Sequence, residues 1–559
     1  MESLSSVSKR LWFPLCEDEK IRISRRLIWG LLVSAFLLRL PFVFYPEVIR
    51  NDGIEYLRQA ISISSGDWTT GKAPPFYPAL IALAHLLIRD PEIAAILISV
   101  IFSSLLVVPL FYLGKEIFDE RVGILSALIV VVHPFLNSYS GSVLTESTYY
   151  FLVAMISLVG WYAFRLGRAR ETVLFGCLVA LAYLTRPEGI GFLMVFCLWI
   201  LFVNPPDRKR KWTKRTGIVL LALFSFLMLS SPYLLQIRKE TGRWGITKKF
   251  AINLTNTYSG LINTYRGLDN ASGGDGSRLI GAFTRNKQID LLSLVKHPWV
   301  VLKKIIFGFF EDLYVFQQGY NPLLFFFLLL AFAFFRSVPI SVKANLYLFA
   351  YFFFFLGLVL PFLWMTRRYS SQMIPIAIPW AAFGFLQFLK WSSKRFKREG
   401  SKKRIEVLLV LVLLVGLYLQ GWPTQDRNFR VIQKEVGLWM RSHLPTGQKM
   451  MSKMGQESFY AEQAWVRMPE KGYEEILSEA RAKRVRYLVV DENIERDSPG
   501  FLERSKQGDL KPLFELRRKR RFMIVFEIVQ GDTPDSGSVP SRGRRTEQDQ
   551  KGIPRGHKN

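Results

Sequence analysis

Residues 323–335 read LLFFFLLLAFAFF, thirteen apolar side chains with no charge among them, and residues 407–419 read VLLVLVLLVGLYL in the same way. A soluble chain of 559 residues would form several domains and scatter its apolar residues at core periodicity. Here they are concentrated in blocks, so the fold class is set by a bilayer. Half of the residues are apolar and 14% are aromatic. A mean hydropathy of only +0.18 reflects two polar regions that dilute the blocks. Disorder, collagen-like repeats and small disulfide scaffolds are excluded by the same composition. The three cysteines, Cys16, Cys177 and Cys197, have no metal-finger or disulfide spacing, and the last two lie inside apolar runs.

Working outward from residues 323–335, runs long enough for a spanning helix of roughly 20 residues recur along the chain. They lie at 27–45, 92–113, 121–136, 143–164, 171–185, 189–203, 216–237, 321–335, 344–364, 371–390 and 405–421. The expected fold is thus an α-helical polytopic membrane protein with about 11 transmembrane helices. Pro78–Ile88 is too short to cross and is expected to be half-buried or interfacial. The apolar stretch Lys303–Phe316, which carries Glu311 and Asp312, is expected to lie along the interface.

Lysine and arginine in short loops set the orientation. The clusters are Lys9–Arg26, Arg165–Arg170, Arg208–Arg215 and Lys394–Arg404. With a cytoplasmic segment 1–26, all of them fall on the cytoplasmic side of a transmembrane region 27–421, whereas a twelfth span at 78–88 would turn those that follow outward. The net charge of +29 is therefore chiefly a topology signal, and no nucleic-acid partner is expected. The bilayer is the partner these clusters meet. Outer loops are expected at 46–91 and 238–320. Residues 422–530 alternate helix-like stretches (Val431–His443, Tyr473–Arg484) with β-type runs (Arg486–Asp491, Phe522–Val529), as in a small extracytoplasmic α/β domain. The basic run Arg517–Arg521 in that domain is read as a solvated strand edge, with the membrane surface or an anionic acceptor as the alternative. The tail 531–559 is polar, rich in Pro, Gly and Ser, and expected to be disordered.

The first outer loop begins Asn51-Asp52-Gly53-Ile54-Glu55-Tyr56. On a helix Asp52 and Glu55 share one face, and Tyr56, Leu57, Ala60 and Ile63 or Ile61 form an apolar stripe suited to lying flat at the membrane. Lys72-Ala73-Pro74-Pro75-Phe76-Tyr77-Pro78 follows, the prolines imposing an extended approach to the next helix. Alone, these residues fit a solvated loop better than a site. Other outer loops add Thr145-Glu146, Thr185-Arg186-Pro187-Glu188-Gly189 and Arg367-Arg368-Tyr369 with Gln372 and Pro375. Acids that can activate a hydroxyl and cations that can hold a phosphate meet the two needs of glycosyl transfer from a lipid phosphate.

On these residues the sequence resembles the bacterial relatives of the protein O-mannosyltransferases, within the GT-C superfamily that also holds the aminoarabinose transferases of lipid A. The resemblance rests on Asp52 with Tyr56 and Ala60, Pro74–Pro78, Thr145-Glu146, Thr185-Arg186-Pro187, and Arg368-Tyr369 with Pro375, in the expected order. Tyr487–Asp491 is similar to part of the outer domain of such enzymes. The resemblance implies a multi-pass glycosyltransferase of the bacterial inner membrane with a periplasmic active site and C-terminal domain. It would move a sugar, with inversion, from a polyprenyl-phosphate donor to a lipid, glycan or protein hydroxyl. Asp52 is then the general base and Glu146 a second catalytic acid. Lys72, Arg186, Arg368 and Tyr369 hold the donor phosphate, and Glu55, Tyr56 and Tyr77 support the substrate. A divalent metal ion is a possible cofactor, with Asp52, Glu146 and His133 as candidate ligands. Two positions depart from the family: Gly53 stands where the mannosyltransferases carry an acid, and Ala73 where relatives often have His or Lys.

Two other classes stay open at this level. An O-antigen-ligase-like or polymerase-like enzyme also has many spans and outer arginines, but lacks an aspartate loop directly after the first span. A flippase or transporter of lipid-linked sugars would show repeated halves or broken mid-membrane helices, and no internal repeat is present.

Overall fold

The computed structural model describes residues 19–44, 48–68, 71, 73–205, 209–247, 298–334, 342–359, 367–393, 399–421, 431–469, 472–518 and 521–529. The chain divides into two compact units, Met1–Val431 and Ile432–Asn559. Expectations for Lys72, for most of the 238–320 loop and for the 531–559 tail lie outside the described residues.

Each of the eleven apolar runs is mostly helical in its described part. Fewer are crossing elements on length and composition. Six helices qualify: Arg26–Phe44, Pro91–Ile117, Glu146–Leu166, Trp212–Thr241, Val342–Val359 and Arg367–Ser392. Counting each of two bent pairs as one span gives eight. On length and composition, six to eight of the roughly eleven expected spans are thus supported among the described residues. Ala169–Tyr183 has 15 residues, about 22 Å at 1.5 Å per residue, against a hydrocarbon core of about 30 Å.

Both bent pairs have local causes. Glu120–Val132 and Pro134–Ser140 meet at 52° where Pro134 opens the second helix. His133 caps that helix, its Nδ1 accepting from the Leu136 amide at 3.4 Å. Ile305–Tyr320 and Pro322–Ala333 meet at 119° around Asn321, whose φ is +87° and whose Oδ1 accepts from the Leu323 amide at 2.9 Å. Phe76–His85 has only 10 residues, about 15 Å of helix, and is no span. It buries Tyr77, Pro78, Ile81 and Ala82 and leaves Leu83 exposed. Large apolar side chains on Arg26–Phe44 and Trp212–Thr241, among them Trp29, Leu37, Leu220, Phe224 and Met228, are exposed, as a lipid-facing surface requires.

The second unit is a five-stranded mixed sheet in the order β2-β1-β3-β5-β4. Its strands are β1 (Lys449–Ser452), β2 (Ala464–Arg467), β3 (Tyr487–Asp491), β4 (Leu510–Arg518) and β5 (Arg521–Ile528). β1 runs parallel to β2 and β3, and β5 antiparallel to β3 and β4. Alternation along β3 and β5 sorts the core onto two faces. Leu488, Val490, Ile524 and Phe526 pack with Ile476 and Leu477 of the Tyr473–Ala482 helix. Tyr487, Val489, Met523 and Val525 pack with Ile432, Val436 and Met440 of the Val431–His443 helix. The 431–443 helix buries Ile432 and Met440 and exposes Leu438, because its core face runs 432-436-440. Of the basic run, Arg518 pairs with Glu435 at 2.6 Å and Arg521 with Glu492 at 3.6 Å, as at a solvated edge.

Candidate active site

Asp52 sits in the first turn of the helix Asn51–Ser64, which buries Gly53, Ile54, Tyr56, Leu57, Gln59, Ala60 and Ile63. Of the two isoleucines proposed for its stripe, Ile63 is buried and Ile61 exposed. The helix fits closely against the turn before Glu146. A Cβ on Gly53 would lie 2.7 Å from the Val143 carbonyl oxygen and 2.8 Å from Ile49 Cγ2. An acidic side chain at this position has no room, which gives the departure from the mannosyltransferase pattern a steric reason. Ala73, the other departure, is fully buried.

Glu146 begins the long helix Glu146–Leu166, where its carboxylate meets the positive end of the helix dipole. Arg186 precedes the turn Pro187–Gly189, and Arg368 belongs to the short helix Arg367–Ser370. Four segments far apart in sequence converge here. Arg368 joins the two acids: its Nη1 donates to Asp52 Oδ2 and its Nε to Glu146 Oε1. Arg186 Nη1 donates to the same Glu146 oxygen at 2.9 Å, and its Nε to Glu188 Oε1 at 2.7 Å. The Arg186 guanidinium lies over the rings of Tyr369 (5.0 Å) and Tyr149 (5.5 Å). Burial opposes its charge, yet Glu188 and Glu146 together hold its pKa well above the ordinary arginine value.

The backbone around Arg368 is anchored to the Glu146 helix. Ser371 Oγ donates to the Arg368 carbonyl at 2.8 Å and is itself hydrogen-bonded to Tyr150, four residues beyond Glu146. Exposure grades across the cluster. Glu146 is 1% accessible, Arg368 21% and Asp52 42%, so Asp52 is the member a hydroxyl can reach from solvent. Glu146 Oε2 is buried without a hydrogen-bond partner, as are both amide atoms of Gln372. Tyr56 lies buried in the field of Arg368, Asp52, Glu146 and Arg186, and burial raises its pKa. Tyr77 packs edge-on against Tyr56 at 5.4 Å and hydrogen-bonds Ser99 at 3.2 Å.

Not every candidate joins the cluster. Glu55 faces Gly71, its Oε1 3.2 Å from where a Cβ there would stand. His133 is a structural residue: besides capping its helix, its Nε2 meets the Tyr320 carbonyl at 3.2 Å. Main-chain groups therefore engage both ring nitrogens. Among the described residues no three His, Cys, Asp or Glu side chains come together as a metal site. Asp52, Glu146 and His133 accordingly do not fit a divalent ion, because an arginine bridges the two acids and the histidine is occupied. Tyr149 and Ser371 are the residues sequence reasoning missed, and Glu188, quoted within its motif, was given no role there. Its signal was an acid two residues after Arg186 in the same tight turn, where the two side chains pair.

Residues 72–235 match the family described as "Dolichyl-phosphate-mannose-protein mannosyltransferase". An aminoarabinose-transferase structure, ArnT from Cupriavidus metallidurans bound to undecaprenyl phosphate, superposes with a TM-score of 0.56 at 12% identity, covering 89% of this chain and 97% of that one. The chain has the GT-C fold. The Archaeoglobus fulgidus oligosaccharyltransferase, tethered to an acceptor peptide, gives 0.55 at 14% identity, covering 84% of this chain and 69% of that one. No curated protein matches the sequence. The fold and the match over residues 72–235 together mark the chain as a membrane glycosyltransferase similar to the protein mannosyltransferases and to ArnT.

Proposed function

We propose that this GT-C protein transfers a sugar from a polyprenyl-phosphate donor to an acceptor hydroxyl of a lipid, glycan or protein, with inversion, at the periplasmic face of a bacterial inner membrane. The observation that carries the reading is the Asp52–Arg368–Glu146 relay, a reachable carboxylate tied through one arginine to a buried one. The chemistry follows from these groups. The acceptor oxygen attacks the anomeric carbon while its proton passes to Asp52. The bond from that carbon to the phosphate oxygen breaks, and its electron pair leaves with the polyprenyl phosphate. Arg368 stabilises the growing phosphate charge with a guanidinium already held in place by Glu146. Arg186, held by two acids, positions Glu146 and through it Arg368; Lys72 is a further cation for the phosphate. Support for a lipid-phosphate donor comes from the undecaprenyl phosphate bound by the ArnT structure of the same fold. The basic cytoplasmic loops support the periplasmic placement, which the C-terminal unit shares.

The test is Asp52→Asn in purified protein, assayed for transfer of labelled sugar from a polyprenyl-phosphate donor. Loss of transfer with retained folding is expected; full activity would overturn the base assignment. Orientation is tested separately with Gly273→Cys. It is expected to react with an impermeant maleimide when only the outer face of the inner membrane is accessible, and reaction only after lysis would reverse the topology.

A further inference from the structure

Arg39 lies in the spanning helix Arg26–Phe44, and its side chain is fully buried. Its Nη1 donates to the Ala35 carbonyl at 3.1 Å and its Nη2 to the Val130 carbonyl at 2.7 Å. Both partners are neutral, and no carboxylate among the described residues pairs with it. A guanidinium taken out of water without an acid is costly, so its place here requires a reason beyond packing. Val130 supplies one. In a continuous helix its carbonyl would accept from the amide of residue 134, but Pro134 has no N–H. The next carbonyl, that of Val131, is taken by Asn137 Nδ2 at 3.2 Å, from within the short helix Pro134–Ser140. Backbone groups freed inside a bilayer must be satisfied by neighbours, and Arg39 does so from another span.

Two paths lead from this break to the site. The segment 134–145 ends at Glu146, and within it Gly141 lies against the first span, where a Cβ would stand 3.1 Å from Phe42 Cδ1. On the other path, His133 Nε2 meets the Tyr320 carbonyl at 3.2 Å. The helix that ends at Tyr320 carries Gln318, whose Oε1 accepts from Arg367 Nε at 2.9 Å, next to Arg368. Resting on the functional reading above, we propose that Arg39 is a positioning residue for transfer. It replaces the amide missing at Pro134 and thereby fixes the place of Glu146 and Arg368. It acts through hydrogen-bond geometry and not through charge, because it reaches only carbonyls. The planar guanidinium holds carbonyls of two helices in one rigid fork, which sets the first span against the break.

The test compares wild type with R39K, R39Q and R39M, as the full chain in nanodiscs. Hydrogen exchange of residues 134–145 is read without substrate, alongside the melting temperature and the kcat and KM of labelled-sugar transfer. R39M has no donor for Val130, so exchange of 134–145 is expected to be roughly tenfold faster. Its melting temperature should stay close to wild type, because the lost hydrogen bonds are offset by relief of a buried charge. Its kcat should fall at least roughly tenfold, with KM changed less than about threefold. R39Q and R39K keep a donor and should recover most of both. Unchanged exchange in R39M refutes the clamp. Faster exchange with wild-type kcat refutes the positioning role, and so does an equal loss in all three variants, which a general packing role predicts. If R39M does not fold, R39Q decides alone: wild-type exchange and kcat support the clamp, and their loss refutes it. Failure of the functional reading looks different, with transfer absent from wild type while the exchange pattern still supports the clamp.

Discussion

Replacing Gly53 by alanine adds one methyl group, and the structure says where the strain goes. The new Cβ would stand 2.7 Å from the Val143 carbonyl oxygen, whereas ordinary contact begins near 3.4 Å. Ile49 Cγ2, at 2.8 Å, belongs to a side chain that can rotate; the Val143 carbonyl is backbone and cannot. The Asn51–Ser64 helix and the turn before Glu146 must therefore separate by about 0.7 Å. Overpacking of this kind costs about 1–3 kcal/mol. The displacement falls on the two segments that carry Asp52 and Glu146, which Arg368 must span at once. Misplacement by about 1 Å can cost roughly 10²-fold in rate, so Gly53→Ala is expected to lose roughly ten- to a hundredfold of transfer activity. Gly53→Glu, which restores the acid of the mannosyltransferases, should be worse. The assay is the rate of labelled-sugar transfer together with the melting temperature of detergent-purified protein. An alanine variant with wild-type rate and wild-type melting would refute the argument that helix contact at Gly53 sets the spacing of the acids.

Three further outcomes follow from the same geometry. Glu146→Ala leaves two guanidiniums without their shared buried acceptor and should destabilise the protein by about 3–5 kcal/mol, read as a large fall in melting temperature, with transfer abolished. Arg186→Lys keeps the charge but cannot hold Glu146 and Glu188 in a forked geometry while contacting two rings; transfer should fall by at least roughly tenfold, seen mainly in kcat. In the C-terminal unit, burial and then the neighbouring Asp491 charge push the Glu457 carboxyl up to about 8 from 4.5. Its folded pKa is raised, so its contribution to stability is complete below about pH 4.5 and is lost as pH rises through about 8, at up to roughly 1.4 kcal/mol per pH unit. Hydrogen exchange of β1 and β3 in the full chain should accelerate over that interval in wild type, and Glu457→Gln should flatten the dependence.

Much of this was legible from residue order alone. The uninterrupted run at 323–335 and its counterparts fix helices in a bilayer, because a backbone without water must satisfy its own hydrogen bonds. Asp52, Glu146, Arg186 and Arg368 could be picked out as well, since charges at the ends of apolar runs are few. Three strands of the C-terminal sheet were not legible. β1 and β2 are four residues long, and β4, with its burial pattern largely exposed, alternates only weakly. Helix length was not legible at 171–185 and 189–203, where the helices Ala169–Tyr183 and Ile190–Phe202 have 15 and 13 residues.

The sequence by itself determined the solvent and the chemical types in the candidate site. It could not assign partners. Asp52 and Arg368 are 316 residues apart, and no local rule relates them. The same ignorance made His133 a plausible ligand, until packing placed both its nitrogens on main-chain groups. Only the tertiary structure decided that one arginine is shared between a reachable acid and a buried one. The physical reason is that ion pairing in a low-dielectric site depends on distance and desolvation, which chain order does not contain.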